Sequence, residues 1–311
     1  MADNYQIPRC QIVPEAGHQA AFLVGDQEVL RWHYGQQYPR PFFYPLNGPS
    51  GKPLTRMGHP GAPNHDHHQS VWFAHNKVLG IDFWANGGDA RVRQHGWLAY
   101  QDGNNEAVMA SEIGWYDGHD PQPLLKQVLV AALQPDKAGQ YQLELQATFT
   151  PTAETLELHQ TNFGMLAIRV AKSISSYFGG GTLTNSSGDV GEPAIFGKPA
   201  RWMDYSGPIS TEGDGTIEGI SYIDHPENPG QPTHWHVRED GWMGASLCFN
   251  APVMLQKAAP LRIRYLLDVH SGSIDAKRAN TLHADFAKRL PWKVFKGGKR
   301  HHQYTVMRVE P

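Results

Sequence analysis

The chain has 311 residues and a formal net charge of −3, from 27 Lys and Arg, 30 Asp and Glu, and 17 histidines counted as neutral. That length can bury one large apolar core, and the near-neutral charge argues against a nucleic-acid partner, which would need a basic face. The opening residues lack the apolar run that is typical of a signal peptide. No apolar run in the sequence approaches the roughly 20 residues of a membrane-spanning helix. We therefore expect a soluble protein without a membrane partner, cytoplasmic by default or periplasmic if a signal was removed.

A histidine-rich stretch, NHDHHQSVWFAH, occupies residues 64–75. His65 and His67 are two residues apart, so on a strand they would face the same way and could present two imidazoles to one divalent metal, with His75 as a further ligand. Imidazole titrates near neutral pH, so His67 or His68 could act as a general acid or base. The alternative is that these rings form a polar, hydrogen-bonded layer without chemistry of their own.

Residues 141–149 alternate between apolar and polar side chains, which predicts a half-buried strand. Residues 155–160 repeat the alternation after the turn-like sequence PTAE, which predicts that the two strands form a hairpin. The side chains predicted to face inward from the first strand are Leu143, Leu145, Ala147 and Phe149.

A third segment of interest, GKPARWMDYSG, spans residues 197–207 and places charged and aromatic side chains between glycines. Asp204 could be a general base or could orient a histidine, and Arg201 could hold substrate oxygens. Equally, residues 204–207 could form a turn closed by an Asx hydrogen bond.

The segment from Asp224 to Trp242 contains a second His-x-His pair. In a strand, His234, His236 and Arg238 would share one face, an arrangement suited to holding hydroxyls or a carboxylate. A solvated edge strand is the alternative.

Residues 274–290 carry the one convincing helical pattern, with Ser273 as a plausible N-cap and Pro291 after the end. Ala279, Leu282 and Phe286 are predicted to share its buried face. Many alternating segments with a single late helix predict an all-β fold, a large antiparallel β-sandwich (supersandwich) formed by residues 1–311 as one domain.

Several common enzyme motifs are absent. There is no phosphate-binding GxxxxGK[ST] loop, no GxSxG nucleophile turn and no HExxH zinc motif. The two cysteines, Cys10 and Cys248, form no C-x-x-C pair. The nine Trp and 12 Tyr suit a sugar site, in which aromatic rings stack on the sugar and polar side chains bind its hydroxyls.

Several separated blocks resemble the uncharacterised bacterial family labelled "methane oxygenase PmoA". They include RPFFYPLNGPSGKPLTR, HDHHQSVWFAHNKVLGIDFW, GKPARWMDYSG and IDHPENPGQPTHWHVR. The chain departs from the family at Gln69, where Arg is usual, which implies a difference in substrate choice, and at His234, which is peculiar to this chain. The residues on motif positions are His65, His67, His68, Trp72, His75, Asp82, Trp84, Arg169, Trp202, Asp204, Tyr205, His225, His236 and Arg238.

The label itself does not suit this chain, because a membrane oxygenase subunit needs spanning helices. The resemblance instead implies a galactose mutarotase-like sandwich, as in aldose 1-epimerases, and carbohydrate chemistry. We expect an enzyme of the epimerase, lyase or hydrolase type, with His67 or His68 as acid or base and His236 or Asp204 as its counterpart. The residues expected to bind the substrate are Trp72, Trp84, Arg201, Trp202, Tyr205, Arg238 and His225.

Two other functions remain open from the sequence. One is a metal-dependent, oxygenase-like enzyme in which His65, His67 and either His75 or His236 bind a divalent metal; the carbohydrate hypothesis requires no cofactor. The other is a non-catalytic sugar-binding β-sandwich. The partner in each carbohydrate hypothesis is a small-molecule or oligosaccharide substrate, and the sequence does not predict the oligomeric state.

Overall fold

The computed structural model describes residues 6–59, 61–209, 215–297 and 300–310. Within these residues the chain forms 20 strands, all paired in antiparallel fashion. In chain order they are β1 (Cys10–Glu15), β2 (Gln19–Val24), β3 (Gln27–His33), β4 (Phe42–Leu46), β5 (Val71–His75), β6 (Arg91–Gln101), β7 (Ala107–Tyr116), β8 (Leu125–Pro135), β9 (Tyr141–Pro151), β10 (Thr155–Leu158), β11 (Gly164–Arg169), β12 (Thr182–Asn185), β13 (Trp202–Pro208), β14 (Ile217–Asp224), β15 (Trp235–Arg238), β16 (Trp242–Ala245), β17 (Val253–Gln256), β18 (Leu261–Ser271), β19 (Trp292–Lys296) and β20 (Tyr304–Arg308).

Sixteen of the 20 strands form two sheets of eight strands each. The first has the order β1-β2-β3-β4-β5-β11-β16-β15 and the second the order β12-β13-β14-β18-β9-β8-β7-β6. Two smaller ribbons pair β10 with β17 and β19 with β20. Apolar side chains from both large sheets, from Cys10 to Val269, belong to one buried cluster. The predicted large antiparallel β-sandwich is therefore confirmed.

Strand β9 shows where the alternation was informative and where it was not. Its four predicted inward side chains are fully buried, as expected. The opposite face is covered as well, because Glu144 binds Arg264 at 3.0 Å and Arg308 at 2.8 Å. Arg308 lies on β20, so the β19–β20 ribbon covers a face that the sequence pattern assigned to solvent.

The predicted hairpin after β9 is wrong. Strand β10 pairs with β17, about a hundred residues later, with Thr155 opposite Gln256. The PTAE segment only turns the chain, because a turn signal fixes where a strand ends and not which strand it then pairs with.

The late helix α2 (Ala276–Phe286) is shorter than predicted, and its N-cap is Asp275 instead of Ser273. The Asp275 carboxylate accepts hydrogen bonds from the backbone N–H groups of Lys277 and Arg278 at 2.9 and 3.1 Å. Ala279 and Phe286 are buried as predicted. A one-turn helix, α1 (Glu192–Ile195), and the 3-10 turns Pro63–His65 and Lys172–Ile174 were not predicted. No helix of the described chain is both long and apolar enough to cross a membrane.

Candidate active site

The face of the first sheet that points away from the main core carries two rows of side chains. Strands β5, β11, β16 and β15 are neighbours, so residues far apart in sequence lie directly opposite one another. The two small residues in the first row leave space above the sheet for the surrounding rings. In register, the rows are Trp72, Ala167, Gly244, His236 and Arg169, Trp242, Arg238.

A cavity of about 380 Å³ lies over these rows, within the size range of small-molecule sites. Its titratable lining residues are His65, His67, His68, His236, Arg169, Arg238 and Asp240. The remaining lining residues are Asn76, Trp84, Phe163 and Trp242.

Aromatic rings form one continuous wall of the cavity. The Trp84 and Trp242 ring centroids are 5.0 Å apart, and Phe163 lies 5.3 Å from Trp84. Trp72 contacts both indoles, at 5.6 and 5.3 Å, but is almost fully buried and does not line the cavity. The indole N–H groups of all three tryptophans are buried without a partner among the described residues. This wall offers the flat apolar surface on which a sugar ring stacks.

The spacing of His65 and His67 suits one face of a strand, but the structure places the cavity histidines of this segment before β5. His65 ends a 3-10 turn, His67 and His68 follow in a loop, and β5 begins only at Val71. The ring centroid of His68 nevertheless lies 5.2 Å from that of His65 and 4.4 Å from that of His67. The three imidazoles are therefore gathered by a compact loop instead of by strand periodicity.

Arg40 holds this loop in place, and sequence reasoning missed it. Its side chain is 2% exposed and donates to oxygens in two segments. In the histidine loop the acceptors are the His67 carbonyl at 3.3 Å and the Gln69 side chain at 2.9 Å. In the second segment they are the carbonyls of Phe83, Trp84 and Ala85 and the Asn86 side chain, at 2.6–3.2 Å. Arg40 thus joins the imidazole wall to the indole wall.

Gln69 and Asp82 position the site without lining it. Gln69 is 3% exposed and faces Arg40, so any effect of this position on substrate choice is indirect. The Asp82 carboxylate accepts from the backbone N–H groups of Trp84 and Ala85 at 2.7 and 3.1 Å. This Asx-type turn fixes the backbone that presents the Trp84 indole.

His236 has a defined tautomer. Its Nδ1 lies 3.1 Å from the backbone carbonyl oxygen of Asn162, and a carbonyl can only accept, so Nδ1 carries the proton. The lone pair is therefore on Nε2. Burial lowers the pKa of His236 to about 4, with the nearby Arg238 charge adding to the effect. His236 is a neutral imidazole at pH 7 with a free basic nitrogen.

His67 and His68 of the loop are neutral for the same reason. Burial lowers the pKa of His67 to about 4, helped by His65 and Arg40. Burial lowers the pKa of His68 still further, and Arg169 is the next cause. The Trp242 ring lies 5.5 Å from both His68 and His236, so neutral imidazoles flank one indole from two sides.

Asp240 is the only carboxylate that lines the cavity in the described chain. Its Oδ1 accepts from Arg169 at 2.7 Å and its Oδ2 from His59 at 2.9 Å. Burial alone would raise its pKa, but the Arg169 hydrogen bond and charge hold the pKa below its usual value. Gly241, at φ +102°, makes the tight turn that brings Asp240 back onto Arg169.

His59 orients Asp240 and is not itself a base. Its Nε2 donates to the carboxylate, and its Nδ1 accepts from the Gly61 N–H at 3.1 Å. Both ring nitrogens are therefore occupied. Burial is the main cause that lowers its pKa, which keeps it neutral at pH 7.

The structure brings together one part of the predicted site. His65, His67, His68, Trp84, His236 and Arg238 line the cavity, although they come from segments more than 150 residues apart. Arg238 also binds Glu192 at 2.6 Å and lies 4.8 Å from the Phe196 ring. Trp235, which lies between two of these strand positions, points the opposite way into the main core.

The 197–207 segment lies elsewhere, which corrects its predicted place in the shared cavity. Asp204 is fully buried in the second sheet and binds His270 at 2.8 Å and Ser221 at 2.7 Å. Trp202 packs against α2, and its indole and the exposed Arg201 both donate to Asn280.

Tyr205 and His225 are also outside the cavity. The Tyr205 hydroxyl donates to the carbonyls of Arg238 and Glu239 at 3.0 and 3.1 Å, so it supports the turn that carries Asp240. His225 is buried beside Arg264, at 2.9 Å, and cannot contact a ligand in this cavity.

The predicted metal ligands do not assemble. His75 is fully buried on β5, and its Nε2 donates to the His159 carbonyl at 3.2 Å, away from His65 and His67. Among the described residues, no group of three or more His, Cys, Asp or Glu side chains is arranged to hold a metal ion. The His65, His67 and His75 set therefore does not fit a divalent metal.

Three residues central to this site were not singled out from the sequence. Asp240 and Trp242 lie within the quoted 224–242 segment, directly after Arg238, and the Asp-Gly pair at 240–241 was a turn signal that could have marked them. Arg40 has no such signal, although it opens the quoted block at residues 40–56, because a single Arg between two prolines reads as a surface residue.

The fold and the cavity define a large antiparallel β-sandwich with a histidine-lined pocket on one sheet. The chain belongs to the family of unknown function DUF6807, whose model matches residues 19–284. A comparison with curated proteins gave no match. The PmoA resemblance stays a prediction.

Among solved structures, the chain is similar to a heparan sulfate lyase HepC mutant from Pedobacter heparinus, at 8% identity and a TM-score of 0.44, covering 99% of this chain and 44% of that one. It is also similar to a GalM/aldose epimerase homologue from C. elegans, at 9% and 0.32, covering 85% and 99%. The chain thus spans less than half the length of the lyase. At such low identities and TM-scores, nothing in the cavity is inferred from these proteins.

Proposed function

We propose that the protein is a carbohydrate-processing enzyme whose substrate ring lies in the cavity against Trp84 and Trp242. In this proposal His236 exchanges a proton with the substrate, and His67 or His68 is its counterpart across the indole. The observation that carries it is the flanking of one aromatic wall by neutral imidazoles in a single cavity of about 380 Å³. Aromatic rings supply the stacking surface of sugar sites, and a neutral imidazole presents a lone pair that can accept a proton during a reaction.

The orientation of His236 supports a base role. The Asn162 carbonyl fixes the proton on Nδ1 and leaves the Nε2 lone pair free of any partner in the described chain. Epimerisation, elimination and glycoside cleavage all begin or end with such a transfer, and the geometry favours none of them. After accepting a proton, the same imidazole is an acid and can return it.

The test pairs His236→Ala with His234→Ala as a matched control. His234 is two residues away and lies against Phe249 and Asn250, outside the cavity. A panel of methyl glycosides and disaccharides is followed by proton NMR for new products, and binding is followed by tryptophan fluorescence. We expect His236→Ala to retain binding and to lower turnover by about 10²–10⁴-fold, with His234→Ala unchanged.

Two outcomes would contradict the proposal. Full turnover in both His236→Ala and His67→Ala would remove the histidines from the chemistry. Saturable sugar binding without any turnover by the unmodified protein would favour the non-catalytic sugar-binding alternative.

A further inference from the structure

Two buried arginines of this protein differ sharply in how their donors are used. Arg40 has all three guanidinium nitrogens hydrogen-bonded, to six oxygens. Arg169 is equally buried, with 0% of its side chain exposed, yet only Nη1 has an acceptor, Asp240. Its Nε and Nη2 have no partner in the described chain. Buried guanidinium donors are rarely left in this state, because each unpaired donor is costly.

The unpaired donors belong to a side chain that lines the cavity. Arg169 stands at the end of β11, in the same cross-strand row as Trp242 and Arg238. A ligand that stacks on the Trp242 indole therefore has the Arg169 guanidinium as its neighbour. The unpaired donors of Arg169 therefore lie beside the proposed position of the sugar ring.

The charge around Arg169 is unbalanced. Arg56 donates to the Asp240 backbone carbonyl at 2.7 Å, and its Nε and Nη1 are also buried without a partner in the described chain. Arg56 and Arg169 thus face one carboxylate, Asp240, while His59 is neutral. We call these four residues the arginine cluster. Burial, and next the Arg169 charge, lower the pKa of Arg56 to about 10, which still keeps its guanidinium charged at pH 7.

The other charges of the cavity do not restore the balance. Arg238 is already paired with Glu192 at 2.6 Å. His67, His68 and His236 are neutral at pH 7, because burial lowers the pKa of each. The arginine cluster is therefore left with one positive charge more than it has negative charges. A planar oxyanion bound through two parallel N–H donors is the group that complements a free guanidinium edge.

We infer that the substrate is an acidic sugar, whose carboxylate is held by Arg169 while its ring lies on the indole wall. This inference rests on the proposed carbohydrate function and narrows its substrate to uronic acids or their glycosides. A neutral sugar could offer the Arg169 donors only uncharged oxygens and would leave the positive charge of the cluster unmatched, so the site should favour the acid.

The test changes the ligand first, so that folding is not at issue. Methyl glycosides of glucuronic, galacturonic and mannuronic acid are each compared with the matching uncharged carboxamide by tryptophan fluorescence titration on the unmodified protein. We expect at least one acid to bind about tenfold or more tightly than its carboxamide, the difference between charged and neutral hydrogen bonds. The carboxamide keeps the shape and hydroxyls and removes only the charge.

Variants then locate the effect. Arg169→Gln should bring the ratio of acid to carboxamide affinity close to one, and Arg169→Lys should restore part of it. Arg201→Gln, at an exposed arginine outside the cavity, should leave the ratio unchanged. Far-ultraviolet circular dichroism identifies any variant that does not fold, and the ligand comparison on the unmodified protein stands without it.

The outcomes separate this inference from the function on which it rests. Neutral methyl glycosides or carboxamides that bind as tightly as the acids would overturn the inference and leave the sugar site standing. Tighter binding of a glucoside 6-sulfate than of every uronate would overturn the carboxylate assignment. A protein that binds no sugar of either kind would overturn both proposals.

Discussion

Replacing Arg40 by Met tests whether one buried side chain holds the two walls of the cavity together. The substitution keeps most of the apolar stem and removes the donors to six oxygens, four of which are backbone carbonyls. Each buried acceptor left unpaired costs about 1–3 kcal/mol, but these costs do not add, because the loops relax and water enters. We expect the free energy of unfolding to fall by about 3–5 kcal/mol, the range for breaking a buried charged network.

Urea denaturation of the unmodified protein and of three variants, Arg40→Met, Arg40→Lys and Arg201→Met, measures this change in the free energy of unfolding. Arg40→Lys retains a charge but has a single nitrogen, which cannot reach both the Gln69 and the Asn86 segments, so its loss should approach that of Arg40→Met. Arg201→Met is the control, since Arg201 is exposed and its side chain donates only to Asn280 in the described chain, and its change should stay within about 0.5 kcal/mol. Ligand affinity should fall in both Arg40 variants, because His67 and Trp84 lose their fixed backbone. An Arg40→Met protein with an unchanged urea midpoint and unchanged affinity would refute the reasoning.

Three further predictions follow from the buried charges and rings. Acidification from pH 6.5 to 4 should lower the urea midpoint, because burial lowers the pKa of His75 and His236, among others, to about 4, so the unfolded chain takes up protons that the folded chain does not. Three groups with raised pKa oppose this effect but are outnumbered: Asp224, whose pKa burial raises to about 7, Glu218, whose pKa burial also raises, and His270, whose pKa the Asp204 carboxylate raises against the effect of burial; a midpoint that rises would contradict the prediction. Glu144→Gln should destabilise the fold by about 3–5 kcal/mol, because Arg264 and Arg308 lose their shared carboxylate. Limited proteolysis of this variant should cut first near the β19–β20 ribbon, and an unchanged cleavage pattern would argue against the role of Glu144 in holding that ribbon. Trp242→Phe should keep the fold but remove most of the fluorescence change on ligand binding, since Trp242 lines the cavity; a full signal in this variant would place the ligand elsewhere.

The fold class was accessible from the sequence because period-two alternation depends only on which face of a strand is buried. Strand β9 was found in this way, and the late helix was found from its own helical pattern and end signals. Pairing was not accessible, since β10 and β17 lie far apart in sequence and no local signal joins them. The burial of Glu144 was missed for the same reason, because its partner Arg308 arrives from another element.

The candidate site was found only in part. The His236 and Arg238 face was correct, because those residues lie on one strand and strand geometry is regular. Asp204 was predicted in the wrong place, because a sequence with a carboxylate between aromatic residues can belong to a core as readily as to a cavity. There it binds a buried histidine, His270, instead of a catalytic one. Arg40 could not be found at all, since its role is defined by acceptors in two distant loops.

The positions of Arg169, Asp240 and His59 in the sequence also bear on the stage of folding at which the pocket can bind a ligand. Asp240 binds Arg169, which lies 71 positions earlier in the chain, and His59, which lies 181 positions earlier. The pocket therefore exists only once the middle of the first sheet has formed. Such long-range closures come late in folding, when most of the chain has already found its place. A bound ligand would therefore recognise only completed molecules and would protect them against unfolding, so a nascent or truncated chain could not sequester substrate.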